Sequence, residues 1–139
     1  MKTFLIAIGM VVLLLTGSLW WSRNMQSSNP DIISRGGIHW HPELEIFVNG
    51  EKIDIPDNVG LVGEHSPIHT HEDLPLIHLE LGSVVRKDDI RLGKFFAVWR
   101  KDFMALGQSI SMTVNGRENA ELDNYVMHDG DKIVLRYSN

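Results

Sequence analysis

Leu44-Glu45-Ile46-Phe47-Val48-Asn49-Gly50, followed by Ile53-Asp54-Ile55, is the stretch whose reading decides the fold. Apolar and polar side chains alternate along it, as on a strand with one buried face. Asn-Gly between two such runs is the strongest short hairpin signal, because both central residues of the turn must accept positive φ. Pro56 ends the second strand. The same grammar returns later in the chain. Ile110, Met112 and Val114 alternate with Ser111 and Thr113, and Asn115-Gly116 turns the chain toward a short partner strand expected around residues 119–122. His128-Asp129-Gly130-Asp131 marks another tight turn. Residues 132–137 read as the last strand, with Ile133 and Leu135 opposite Val134 and Arg136.

Between the two hairpins, Leu92, Phe95, Phe96, Trp99 and Phe103 fall at i, i+3, i+4, i+7 and i+11, one apolar stripe of a helix. Asp88 or Asp89 is expected to cap its start and Gly107 to stop it. The order is hairpin, insertion, helix, hairpin, final strand. Without the insertion this is ββαβββ, an α+β fold with one helix packed across a mixed sheet. Two hairpins bracketing a helix resemble β-grasp folds. The ending from Met127 to Leu135 resembles the last turn and strand of ubiquitin-like domains.

The insertion is where chemistry is expected. Ser66-Pro67-Ile68-His69-Thr70-His71-Glu72-Asp73-Leu74-Pro75-Leu76-Ile77-His78-Leu79-Glu80 holds three of the seven histidines. A second pair, His39 and His41, precedes the first hairpin. Residues i and i+2 of a strand face the same way, about 6.6 Å apart, so each His-x-His pair can aim two imidazoles at one ion. Seven histidines in 139 residues predict about 0.35 such pairs by chance, and two are present. His39, His41, His69, His71 and His78 are therefore the candidate metal ligands, with Glu80 as an oxygen donor. Imidazole with carboxylate suits Zn²⁺, Cu²⁺, Ni²⁺ or Fe²⁺. The competing reading is a hydrogen-bonded network of these histidines with Glu43, Glu45, Glu72 or Glu80, or stacked on Trp40. The protein would then be a non-catalytic interaction module of the cell envelope. His65 and His128 read as solvated, and Met104, Met112 and Met127 as core.

Residues 1–21 read as a membrane anchor or uncleaved signal, residues 22–37 as a flexible tether, and residues 38–139 as an extracytoplasmic domain. Phe4 to Trp21 is apolar and uncharged, about 27 Å long as a helix, close to the thickness of a bilayer's hydrocarbon. Trp20-Trp21 closes it where interfacial aromatics belong, and Lys2 biases the N-terminus inward. A cleaved signal with a core from Phe4 to Leu15 is the alternative, although the apolar run continues beyond it.

Composition excludes several functions. Cysteine is absent, so there is no disulfide, thiolate site or Cys nucleophile. Lys2 and Arg23 precede Asp31 and no acid does, which takes the formal charge from −5 for the chain to −7 beyond that point. That balance argues against a nucleic-acid partner. Six basic residues between Arg86 and Lys101 read as a solvated helix face, or as a weak contact with anionic lipid or cell-wall polymer. Neither a Gly-x-Ser-x-Gly elbow nor a phosphate loop is present. A cupin reading fails because Pro75 and Leu76 stand where its motif requires Glu. Catalytic turnover is not expected.

The soluble part resembles a group of small, single-anchor bacterial and archaeal proteins without an established activity. The shared features are His-x-His-Pro before an Asn-Gly hairpin (His39 to Gly50), His-Thr-His followed by Ile-His-x-Glu (His69 to Glu80), the Leu92–Trp99 helix, and Asn124 to Asp131. The resemblance implies topology rather than function. Similar proteins carry a Cys pair after the helix, and this chain has none between Asp102 and Ser109.

Overall fold

The structure, a computed structural model, describes residues 1–27 and 29–139, with the side chains of residues 2, 3, 5 and 25–27 outside that description. It divides into two compact units, Met1–Asp31 and Ile32–Asn139. The first is a helix, α1 (Lys2–Ser27). Its segment Ile6–Asn24 is long and apolar enough to cross a membrane. Its described side chains, Leu13, Trp20 and Trp21 among them, are exposed.

The helix thus runs six residues past Trp21, into the expected tether. Farther along that tether, Ile32–Ser34 forms a strand, β1, paired with β7 (Val85–Arg86). Two β-branched isoleucines supply an extended, half-buried segment there. Ser28, within the expected tether, and the Lys2 side chain, used for orientation, lie outside the described residues.

The second unit is α+β. Its larger sheet contains β3 (Glu43–Val48), β4 (Glu51–Ile53), β8 (Ser109–Val114), β9 (Arg117–Glu118) and β10 (Lys132–Ser138), in the order β4-β3-β10-β8-β9. Both Asn-Gly turns are present as two-residue hairpins, with positive φ at Asn49, Gly50, Asn115 and Gly116. The last strand lies between the hairpins, parallel to β3 and antiparallel to β8. Alternation follows the pleat: Leu44, Ile46, Met112, Val114, Ile133, Leu135 and Tyr137 are buried. A helix, α2 (Leu92–Trp99), adds Leu92, Phe95 and Phe96 to that core.

The helix is shorter than its stripe suggested. It stops at Arg100, which takes a left-handed conformation (φ 59°) while Lys101 N–H bonds back to the Phe96 carbonyl. Phe103 still reaches the core, 4.8 Å from the Phe96 ring, from the turn beyond. Neither aspartate caps α2. Asp88 pairs with Arg91, and Asp89 accepts the Arg86 N–H ahead of a short 3₁₀ turn over Lys87–Ile90. The partner of β8 lies at Arg117–Glu118, next to its turn, rather than at 119–122. Met112 and Met127 are core, but Met104 is exposed.

A separate three-stranded sheet carries the insertion. It consists of β2 (Ile38–Trp40), β5 (Ile68–His69) and β6 (His78–Leu81), in the order β2-β6-β5. Ile77 N–H bonds to the Pro42 carbonyl and Leu44 N–H to the Pro75 carbonyl, which join the small sheet to the start of β3.

Candidate metal centre

The position of β6 assembles the site. Residues 78–81 alternate, as the two-residue period requires: Leu79 is buried, and His78 and Glu80 face the other way. Both flanking strands are antiparallel to β6, with His39 opposite Glu80 and His69 opposite His78. Directly opposed residues bring their Cβ atoms within about 4.5–5.5 Å. On the other face, Leu79 is opposite both Ile68 and Trp40, so the apolar side of the same register turns to the core.

All five predicted ligands meet on the polar face. Ring centroids are 4.8 Å apart for His39–His41, His41–His78, His69–His71 and His71–His78, and 5.3 Å for His69–His78. Two triads result, His39–His41–His78 and His69–His71–His78, with one ligand nitrogen from each ring inside a 4.8 Å limit. Modest side-chain rotations bring such nitrogens within reach of an ion bonded at about 2.0–2.1 Å.

Each ring has a distinct environment. His69 is 1% exposed, and burial pushes its pKa below 6.5, which favours the neutral, lone-pair-bearing form. Its Nδ1 lies 3.0 Å from the Ser66 carbonyl oxygen. A carbonyl can only accept, so Nδ1 carries the hydrogen and Nε2 is left free to ligate. His78 Nε2 lies 3.1 Å from both carboxylate oxygens of Asp73, and that hydrogen bond holds the Asp73 carboxyl below its usual range. Glu80 Oε1 lies 3.3 Å from His39 Nε2 and 4.0 Å from His78 Nδ1. The backbone N–H of His41 donates to Asp129 at 2.8 Å, which ties this candidate ligand to the turn before β10.

The loop preceding β5 is equally fixed. Thr70 is fully buried between His69 and His71. Its hydroxyl donates to the Pro56 carbonyl at 2.6 Å and accepts the Val59 N–H at 3.1 Å. Gly60 has φ +77°, and a side chain there would run into the Ile68 carbonyl.

Some neighbours escaped the sequence reading. His65, read as solvated, is exposed but has its ring 4.8 Å from His69. The signal was the His65-x3-His69 spacing across a loop. Asp73 became a site residue only through the turn that returns it to His78. His128 is exposed, as expected, and stacks on Trp40 at 5.8 Å.

The arrangement offers five imidazoles and two carboxylates on one sheet face, a borderline donor set that suits a divalent transition metal. Compared with protein-family models, with curated proteins and with solved structures, the chain finds no significant match.

Proposed function

We propose that the chain is a membrane-anchored protein whose extracytoplasmic domain binds a divalent transition metal (Zn²⁺, Cu²⁺, Ni²⁺ or Fe²⁺) through His39, His41, His69, His71 and His78, for sequestration or delivery rather than turnover. The observation that carries this reading is the membership of His78 in both triads. Three separate strands, with His41 and His71 just past the ends of β2 and β5, bring these rings onto one face, and the buried His69 is oriented by the Ser66 carbonyl. The apolar Ile6–Asn24 segment supports retention as an anchor. The order β4-β3-β10-β8-β9, with parallel β3 and β10 in contact, supports a β-grasp-like domain; kinship with the small single-anchor proteins rests on the shared sequence motifs alone.

A second reading rests on the carboxylates. Glu80 beside His39 and Asp73 beside His78 make a hydrogen-bonded network without an ion, as a structural module of the cell envelope would have. Elemental analysis separates the two. The full chain, purified in detergent without a polyhistidine tag and stripped by chelator, should retain Zn²⁺ or Cu²⁺ after reloading and desalting, and His69→Ala/His71→Ala should retain less. Wild type that retains neither, and melts at the same temperature with and without Zn²⁺, Cu²⁺, Ni²⁺ or Fe²⁺, sinks the metal reading. Protease protection of residues 38–139 in right-side-out vesicles would contradict the extracytoplasmic placement.

A further inference from the structure

The two triads share one residue, His78, on the strand that stands between the other two. Because β2 and β5 flank β6, they are about 10 Å apart at the usual strand spacing. An ion bonded at about 2.0–2.1 Å spans nitrogens little more than about 4 Å apart. Among the described residues, the rings of His39 and His41 connect to those of His69 and His71 only through His78. As placed, the five imidazoles therefore fall into two groups that meet at His78.

The two nitrogens of His78 face different surroundings. Nδ1 is on the side of Glu80, whose Oε1 also touches His39 Nε2. Nε2 faces Asp73, two residues from His71. Each half of the cluster thus has two imidazoles of its own, one nitrogen of His78 and a nearby carboxylate. Two dipositive ions in one cluster need such anionic neighbours to offset their mutual repulsion.

Resting on the metal reading above, we propose that the cluster takes two divalent transition-metal ions, one on His39, His41 and His78 Nδ1, the other on His69, His71 and His78 Nε2, bridged by the His78 ring. The ring hydrogen sits on Nε2, facing Asp73; for both ring nitrogens to donate a lone pair, that proton leaves to solvent and the hydrogen bond to Asp73 is given up when the second ion binds. Glu80 and Asp73 remain as charge-balancing groups, one beside each ion.

The test is metal stoichiometry on the full chain in detergent, with Cu²⁺ as the probe and native mass spectrometry and electron paramagnetic resonance as readouts. Wild type should load two ions, whose spins couple through the bridging ring, so the signal per copper falls below that of any one-ion variant. His39→Ala/His41→Ala alters an exposed and a half-exposed residue, and should load a single, magnetically isolated ion. Even loss of an outer partner costs about 10–100-fold in metal affinity. His78→Gln should therefore weaken both ions by at least that much. Circular dichroism and Trp fluorescence of the metal-free variants establish that each is folded. Wild type that saturates at one ion overturns the bridged pair and leaves the metal reading standing. Two uncoupled ions, or a folded His78→Gln that keeps both at wild-type affinity, also overturn it. Wild type that loads none overturns both readings.

Discussion

His69 and His78 face each other across β5 and β6, with rings 5.3 Å apart and only 13° from parallel. One is buried with its Nδ1 committed to a backbone carbonyl, and the other is held by a carboxylate at the surface. A pair in which each ring already has one nitrogen engaged by the protein is oriented before any ion arrives. Such preorganisation leaves less to be ordered on binding.

Burial of His69 has a consequence for acid stability. Its pKa lies below the ordinary 6.5, mainly from desolvation, with the Ser66 hydrogen bond opposing. As the pH falls past 6.5 the unfolded chain takes up a proton here before the folded chain does. Stability is thus fully present above 6.5 and declines through that value toward the lower folded pKa. Asp73 is also depressed, from 3.8, by the His78 hydrogen bond, and its contribution is lost only at more acidic pH. Urea midpoints of the metal-free protein between about pH 5 and 8 should fall on acidification. His69→Gln should flatten that slope, and an unchanged slope would contradict the assignment.

Thr70 is the support between two candidate ligands. Replacing it by Val keeps the shape but strands the Val59 N–H and the Pro56 carbonyl, both now served by one hydroxyl. A buried group left unpaired costs about 1–3 kcal/mol. Thr70→Val should therefore lower stability by about that amount in denaturant melts. It should also weaken Zn²⁺ binding in a chelator competition, although Thr70 is no ligand. Unchanged zinc affinity would mean that the 56–70 loop does not position His69 and His71.

The aromatic stripe of α2 divides by depth. Phe96 is 1% exposed and touches the rings of Phe95, Trp99 and Phe103, whereas Trp99 is only half-buried and has Lys101 over its face. Phe96→Ala should cost about 3–5 kcal/mol, as full burial requires. Trp99→Ala should cost clearly less, in denaturant melts of either metal-free or loaded protein. The reverse ranking would mean that Trp99, and not Phe96, is the core anchor.

These residues also show what was legible beforehand. Asn49-Gly50 and Asn115-Gly116 announced both hairpins, because positive φ at two successive positions is a local demand that few residues meet. The His-x-His pairs and the alternation through His78 and Glu80 were readable for the same local reason. The placement of β6 between β2 and β5 was not, since its pairing with β2, from Trp40↔Leu79 to Ile38↔Leu81, is long-range and leaves no mark on either partner. Strand β1 is hidden in a polar stretch, and the early stop of α2 depends on Arg100 accepting a left-handed conformation, for which the sequence offers Gly107 as the less strained residue.

Imidazole ligation is the central claim, and X-ray absorption at the zinc edge tests it most directly. The full chain in detergent, loaded with Zn²⁺ and desalted, should show a first shell of light atoms at about 2.0–2.1 Å. The outer-shell multiple scattering of several imidazole rings should accompany it. That pattern should be lost when His39, His41, His69 and His71 are all changed to Ala. A first shell without imidazole scattering, or a spectrum unchanged by those substitutions, would contradict the claim.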